Sequence, residues 1–82
     1  MEARNPDRIL DLRGVKCPIN YVRTKLALEE LSIGQVIEVI VDEGEPSRHV
    51  PQAIREDGQC VREIVQDESG FVRVIIEKAV EY

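Results

Sequence analysis

Cys17 is the residue of this chain best placed to do chemistry. It lies in the run Leu10-Asp11-Leu12-Arg13-Gly14-Val15-Lys16-Cys17-Pro18, which reads as a short strand, a basic turn, a thiol and a helix-starting proline. Proline suits the first helical position, because its missing N–H would have no partner there. The spacing therefore predicts Cys17 at the N-cap, facing free backbone N–H groups and the positive end of the helix dipole. Gly14 lets the turn bend and Pro18 sets the helix start. Cations beside such a thiol, here Arg13 and Lys16, add to the bias toward the thiolate, the form that attacks. A thiolate held in this way can attack a sulfur electrophile, and the same surroundings suit the anion of Cys–S–SH. Arg23 and Lys25 are expected to complete a basic cluster around it. The plainer alternative is a small buried residue at a strand–helix junction, as free cysteines often are.

Other chemistry-bearing residues give weaker signals. His49 is the only histidine, so a Cys/His nucleophilic pair is possible in principle. The favoured reading is a solvated histidine near the start of a second helix. The spacings among Cys17, His49 and Cys60 match no zinc pattern, so no metal is expected. Cys60 opens an apolar strand and is expected to pack. Asp42, Glu43 and Glu45 form an acidic loop, read as a solvated surface.

The elements that must position Cys17 follow from periodicity and turn signals. Residues 1–7 are polar and expected to be loose. Arg8 to Leu12 reads as a first strand with Leu10 and Leu12 on one face. Pro18 to Leu31 reads as the first helix, stopped by Gly34. That helix is apolar on two sides: Tyr21, Thr24, Leu28 and Leu31 form one stripe, and Ile19, Val22 and Leu26 another. One sheet can cover only one stripe, which leaves the second as a contact surface. Gln35 to Val41 is a nearly continuous apolar strand suited to a central position. A second helix begins at Ser47, or late at Pro51, and runs to about Asp57. Cys60 to Gln66 and Phe71 to Lys78 are strands joined by the turn Asp67-Glu68-Ser69-Gly70. Val72, Val74 and Ile76 share one face of the last strand. The inward face of the third is ambiguous, because Val61 and Val65 compete with Cys60 and Ile64.

The order β-α-β-α-β-β, with right-handed crossovers, puts both helices on one side of a four-stranded sheet in a two-layer α/β sandwich. Its open face would carry Val36, Glu38, Ile40, Phe71 and Ile75. The 82 residues make one small domain, 1–82, in which 43% of residues are hydrophobic and 33% charged. The net charge of −5, with only two tyrosines and one phenylalanine, argues against direct nucleic-acid binding. No segment approaches a membrane span, and the N-terminus has no apolar core of a secretory signal. Two cysteines without export features suggest free thiols in a reducing cytoplasm.

The same run, Leu10 to Pro18, resembles the signature of the TusA/SirA-like sulfur carrier family, Leu-Asp-x-x-Gly-x-x-Cys-Pro followed by a helix. The resemblance extends over Gly34-Gln35 before a hydrophobic strand, then Asp42, Arg48, Val50-Pro51, Gly58 and the closing hairpin. It implies strand order 1-2-4-3, with strand 4 running against the others, and a cytoplasmic protein that carries sulfur as a persulfide on Cys17. Members of the family are linked to tRNA thiolation, cofactor sulfuration and sulfur oxidation. The implied partners are a donor, such as a cysteine desulfurase or rhodanese, and an acceptor with a reactive cysteine; no cofactor is implied. Arg13, Lys16 and Arg23 would steer anionic partners, and Ile19, Val22, Arg23, Leu26 and Arg48 would form the docking surface. The family usually has Cys-Pro-x-Pro, and Asn20 stands in place of the second proline.

Two rival readings remain. A glutaredoxin-like thiol oxidoreductase also opens on a strand, Cys-Pro and a helix, but Asn20 stands where its second cysteine should be and a strand stands where its closing helix should be. A non-catalytic interaction module would use the second apolar stripe and leave Cys17 as filler.

Overall fold

The computed structural model describes residues 5–82. The elements are β1 (Arg8–Asp11), α1 (Ile19–Glu29), β2 (Val36–Asp42), α2 (Glu45–Glu56), β3 (Cys60–Gln66) and β4 (Phe71–Glu77). The sheet order is β1-β2-β4-β3. β1 runs parallel to β2, and β4 runs antiparallel to both β2 and β3. This is the strand order that the resemblance implies. The molecule is 17 Å across its shortest axis, the thickness of one sheet and one layer of helices. Among the described residues β4 is the last element, and residues 78–82 after it form no helix. No helix among the described residues is long and apolar enough to cross a membrane.

The core follows the period-2 alternation of the two central strands. Ile37, Val39 and Val41 of β2 meet Val72, Val74 and Ile76 of β4, and all six are buried. Leu12, Ala27, Leu28, Val50 and Ile54 close over them from the helices and the loop after β1. Each such aliphatic side chain contributes roughly 1.5–3 kcal/mol when fully buried. On the other face, Glu38 and Ile75 are more covered than an open sheet would leave them. Glu38 is paired with Arg73 across β2 and β4 at 2.7 Å, and Val36, Ile40 and Phe71 are half-buried.

A β-bulge resolves the ambiguity of the third strand. Val61 lies opposite Ile76 and Ile64 opposite Val74, with a register shift between Val61 and Glu63. Directly opposed residues share a face, so Val61 and Ile64 both lie on the helix side although they are three positions apart. The extra residue changes the parity of the strand. Cys60 is exposed rather than packed.

The helix ends also depart from expectation. α1 starts at Ile19 with Pro18 as its N-cap, so Cys17 sits one position before the cap. It stops at Glu29 because its last turn tightens: the Glu30 and Leu31 N–H groups bond the carbonyls of Ala27 and Leu28. The buried Lys78 then donates to the Leu31 carbonyl at 2.7 Å, a favourable place for a cation beyond a helix C-terminus. α2 starts at Glu45, well before Pro51. Ser47 Oγ donates to the Gly44 carbonyl and accepts the Gly44 N–H, which closes the first turn. Pro51 lies inside the helix with its ring buried, and that burial offsets the bond its nitrogen cannot donate. Of the N-terminal segment 1–7, residues 1–4 lie outside the described residues. Asp7 is tied to β2, donating to the Val36 carbonyl and accepting the Val36 N–H on its carboxylate.

Candidate functional site

β1 is an edge strand paired with β2, and the loop that follows it carries Cys17 to the N-terminal end of α1. The Leu12 N–H bonds the Ile40 carbonyl, and the Val15 N–H returns to Leu12. Gly14 turns the chain with φ +80°. Its N–H is held by both carboxylate oxygens of Asp42, at 3.1 and 3.2 Å. Asp42 is thus a half-buried anchor of this loop and not part of a solvated acidic run. A Cβ at Gly14 would meet no atom within 4 Å, so the demand for glycine is conformational alone. Gly14→Ala is therefore expected to cost about 1–2 kcal/mol in urea unfolding; a change below a few tenths would mean that the turn relaxes freely.

The Cys17 thiol is half-buried. It lies in a shallow groove of about 290 Å³ with Lys16, Glu45 and Pro46. The peptide bond from Cys17 to Pro18 is cis. Two side chains reach the sulfur. Asn20, fully buried, directs Nδ2 at Sγ from 3.4 Å and also at the Val15 carbonyl from 3.4 Å. His49 on α2 brings Nδ1 to 3.7 Å.

The orientation of the Asn20 amide is set by its neighbours. Its Oδ1 accepts the Tyr21 N–H at 2.7 Å, one of the first-turn donors that no helix carbonyl can satisfy. A flipped amide would put its NH2 group against that N–H and its oxygen against the Val15 carbonyl. Asn20 therefore does the work of a cap from inside the helix, and its remaining donor points at the sulfur.

The basic collar expected around Cys17 is only partly there. Arg13 is held by Asp11 through its Nε and Nη2 atoms, the closest contact being 2.6 Å, and lies over the Phe71 ring at 5.3 Å. That guanidinium holds the Asp11 carboxyl down at about 2, and the carboxylate in turn raises Arg13. Lys25 is paired with Glu29 and lies over the Tyr82 ring. Lys16 is the cation that shares the groove with the thiol. The second apolar stripe of α1 is uncovered, with Ile19 51%, Val22 41% and Leu26 54% exposed. Arg23 is exposed beside them, on the face of Ile19 and Leu26 by helical spacing. Arg48 lines a separate groove of about 330 Å³ with Glu43, Gly44, Ser47, Ile64, Gln66 and Val72.

In the sequence Asn20 stands only in place of the family's second proline; the Cys17/His49 pair is the less favoured alternative there, and the structure brings the two together while leaving His49 exposed. A polar residue three positions after a helix-opening cysteine does carry a signal, since the side chains of i and i+3 meet on one side of a helical turn. The approach of His49 depends on α2 beginning at Glu45, a start marked locally by Pro46 and the acidic Glu45 in its first turn.

The profile of a family described as "Sulfurtransferase TusA" matches residues 8–78. A protein of Archaeoglobus fulgidus named "Putative sulfur carrier protein" is 38% identical over 55 residues, which span 67% of this chain and 62% of that relative's length. "Putative sulfur carrier protein YedF" of Escherichia coli strain K12 is 34% identical over 73 residues, 89% of this chain and 94% of the relative. The crystal structure of the SirA-like protein from Desulfitobacterium hafniense superposes with a TM-score of 0.78 at 28% identity, covering 89% of this chain and 99% of that one.

Proposed function

The chain belongs to the sulfurtransferase TusA family, and from that premise we propose that it carries sulfane sulfur as a persulfide on Cys17 and passes it to an acceptor thiol. The observation that supports this most is the setting of the Cys17 sulfur. It lies at an open groove rather than in a substrate pocket, with a buried amide donor aimed at it. Thiol–persulfide exchange needs a reachable sulfur and a partner sulfur that can approach it, not an enclosed cavity.

The roles of the surrounding residues follow from their positions. Gly14 and Pro18 shape the backbone that presents the thiol. Lys16 supplies positive charge at the groove, while Arg13 is largely neutralised by Asp11. Ile19, Val22 and Leu26, with Arg23 beside them, form the surface on which a partner docks, next to the thiol on α1. Arg48, in its separate groove on α2, is a second point of contact for a partner. The donor is a cysteine desulfurase or a rhodanese-type protein, and the acceptor presents a reactive cysteine. We place the exchange in the cytoplasm, where a thiol is kept reduced.

The test is to incubate the protein with a cysteine desulfurase and cysteine, then record its intact mass under non-reducing conditions. A gain of one sulfur atom, located on the peptide that contains Cys17, is the expected result. No gain, or sulfur located on Cys60, would remove the carrier role of Cys17.

A further inference from the structure

We infer that His49 is the proton-transfer group of the Cys17 sulfur, an inference that takes its substrate from the carrier reading. Thiol–persulfide exchange moves a proton at both ends. The attacking thiol must lose one, and the departing thiolate gains one. His49 Nδ1 lies 3.7 Å from Sγ, within hydrogen-bond reach for sulfur. The ring is exposed on α2, and that sulfur is its hydrogen-bond partner among the described residues.

The other groups at the groove are unsuited to the task. Asn20 presents only its NH2 group to the sulfur, since its oxygen is taken by the Tyr21 N–H. Lys16 is an ammonium with no acceptor atom. Glu45 lines the groove but makes no hydrogen bond to the sulfur among the described residues. An imidazole is also closer in basicity to a thiolate than a carboxylate is.

The steps balance. His49 Nδ1 takes the proton of the Cys17 thiol. The thiolate attacks the outer sulfur of the donor persulfide. A bond from Sγ to that sulfur forms as the donor's S–S bond breaks, and the donor sulfur leaves with the electron pair. The imidazolium proton passes to that thiolate. In unloading, His49 takes the proton of the acceptor thiol, the acceptor thiolate attacks the carried sulfur, the bond from Sγ to that sulfur breaks, and Cys17 leaves as a thiolate that receives the proton from the imidazolium. No external oxidant or reductant is consumed.

The test uses the full chain with Cys60→Ser, so that Cys17 is the only thiol. Two second-order rates are measured near neutral pH: loading from glutathione persulfide and alkylation by iodoacetamide. His49→Ala is expected to slow both by at least ~10-fold, with loading still reaching one sulfur per chain. Free imidazole should restore part of the rate in the variant and leave the His49 protein unchanged. Equal rates with and without His49 would overturn the assignment while the carrier reading stands, and so would a slowed rate that imidazole does not lift. Failure of the His49 protein to load would overturn the carrier reading instead, and the alkylation arm would then decide on His49 by the same criteria.

Discussion

Cys17→Ser is expected to take sulfur loading to background while the protein stays folded. The substitution keeps a small polar atom in place of the sulfur, and a hydroxyl can still accept from Asn20 Nδ2. Cys17 is half-buried and lies outside the aliphatic core formed by Leu12, Leu28, Ile37, Val39 and their neighbours. The change in unfolding free energy should therefore stay within about 0.5 kcal/mol, as for substitutions away from the core. Loading should vanish, because a serine hydroxyl is not ionised at neutral pH and does not exchange with persulfides. Cys60→Ser is the matched control. Cys60 is exposed at the start of β3, opposite Glu77 and on the sheet face away from the helices. It should load as the unmodified protein does. Mass spectrometry after desulfurase treatment, together with urea unfolding of all three proteins, separates the outcomes. Persistent loading in Cys17→Ser would show that the sulfur travels elsewhere.

Much of this architecture was legible in the chain, and the exceptions have specific physical causes. The strands β2 and β4 declare themselves by apolar alternation, and their paired rows form the core. The thiol's place between strand and helix was legible from Gly14 and Pro18. β3 resisted assignment because a bulge shifts its side-chain parity at Arg62, and a bulge has no composition of its own. The basic cluster around Cys17 is smaller than its residues suggest, because two of its four cations carry their own counter-charges. Asp11 stands two residues before Arg13, and Glu29 four residues after Lys25, a spacing at which helical pairs form. The Cys17/His49 pair is only an alternative in the sequence, because His49 meets the thiol through tertiary packing of α2. Asn20 marks only the absence of a proline there, because its role as an amide with two donors and an acceptor depends on the fold. Asp42 belongs with them, since its capture of the Gly14 N–H joins positions 28 residues apart.

Asn20→Asp changes one atom of a buried side chain and is expected to destabilise the protein by about 3 kcal/mol at neutral pH. The shape is conserved, so packing beside Thr24 and Tyr21 is unchanged and the effect isolates the hydrogen bonds. One carboxylate oxygen can still accept the Tyr21 N–H. The other faces the Val15 carbonyl and the Cys17 sulfur, both acceptors, where the amide had offered a donor. The charge is also fully buried without a cation, so the introduced carboxyl should bind its proton more tightly in the folded state than in the unfolded chain, where an aspartate titrates near pH ~3.9. The sign follows from proton counting. Above that value the folded state holds the extra proton, so stability falls as pH rises until the folded carboxyl has also ionised. The gap from the parent protein should therefore be small near pH 4 and widen toward pH 7. A domain of this size has only about 4–12 kcal/mol in hand, so urea unfolding at the two pH values resolves it readily. The same carboxylate would repel an anionic sulfur, and alkylation of Cys17 at neutral pH should slow as well. A penalty that is the same at pH 4 and pH 7, with unchanged thiol reactivity, would mean that residue 20 turns outward to water and that its amide does not hold the sulfur.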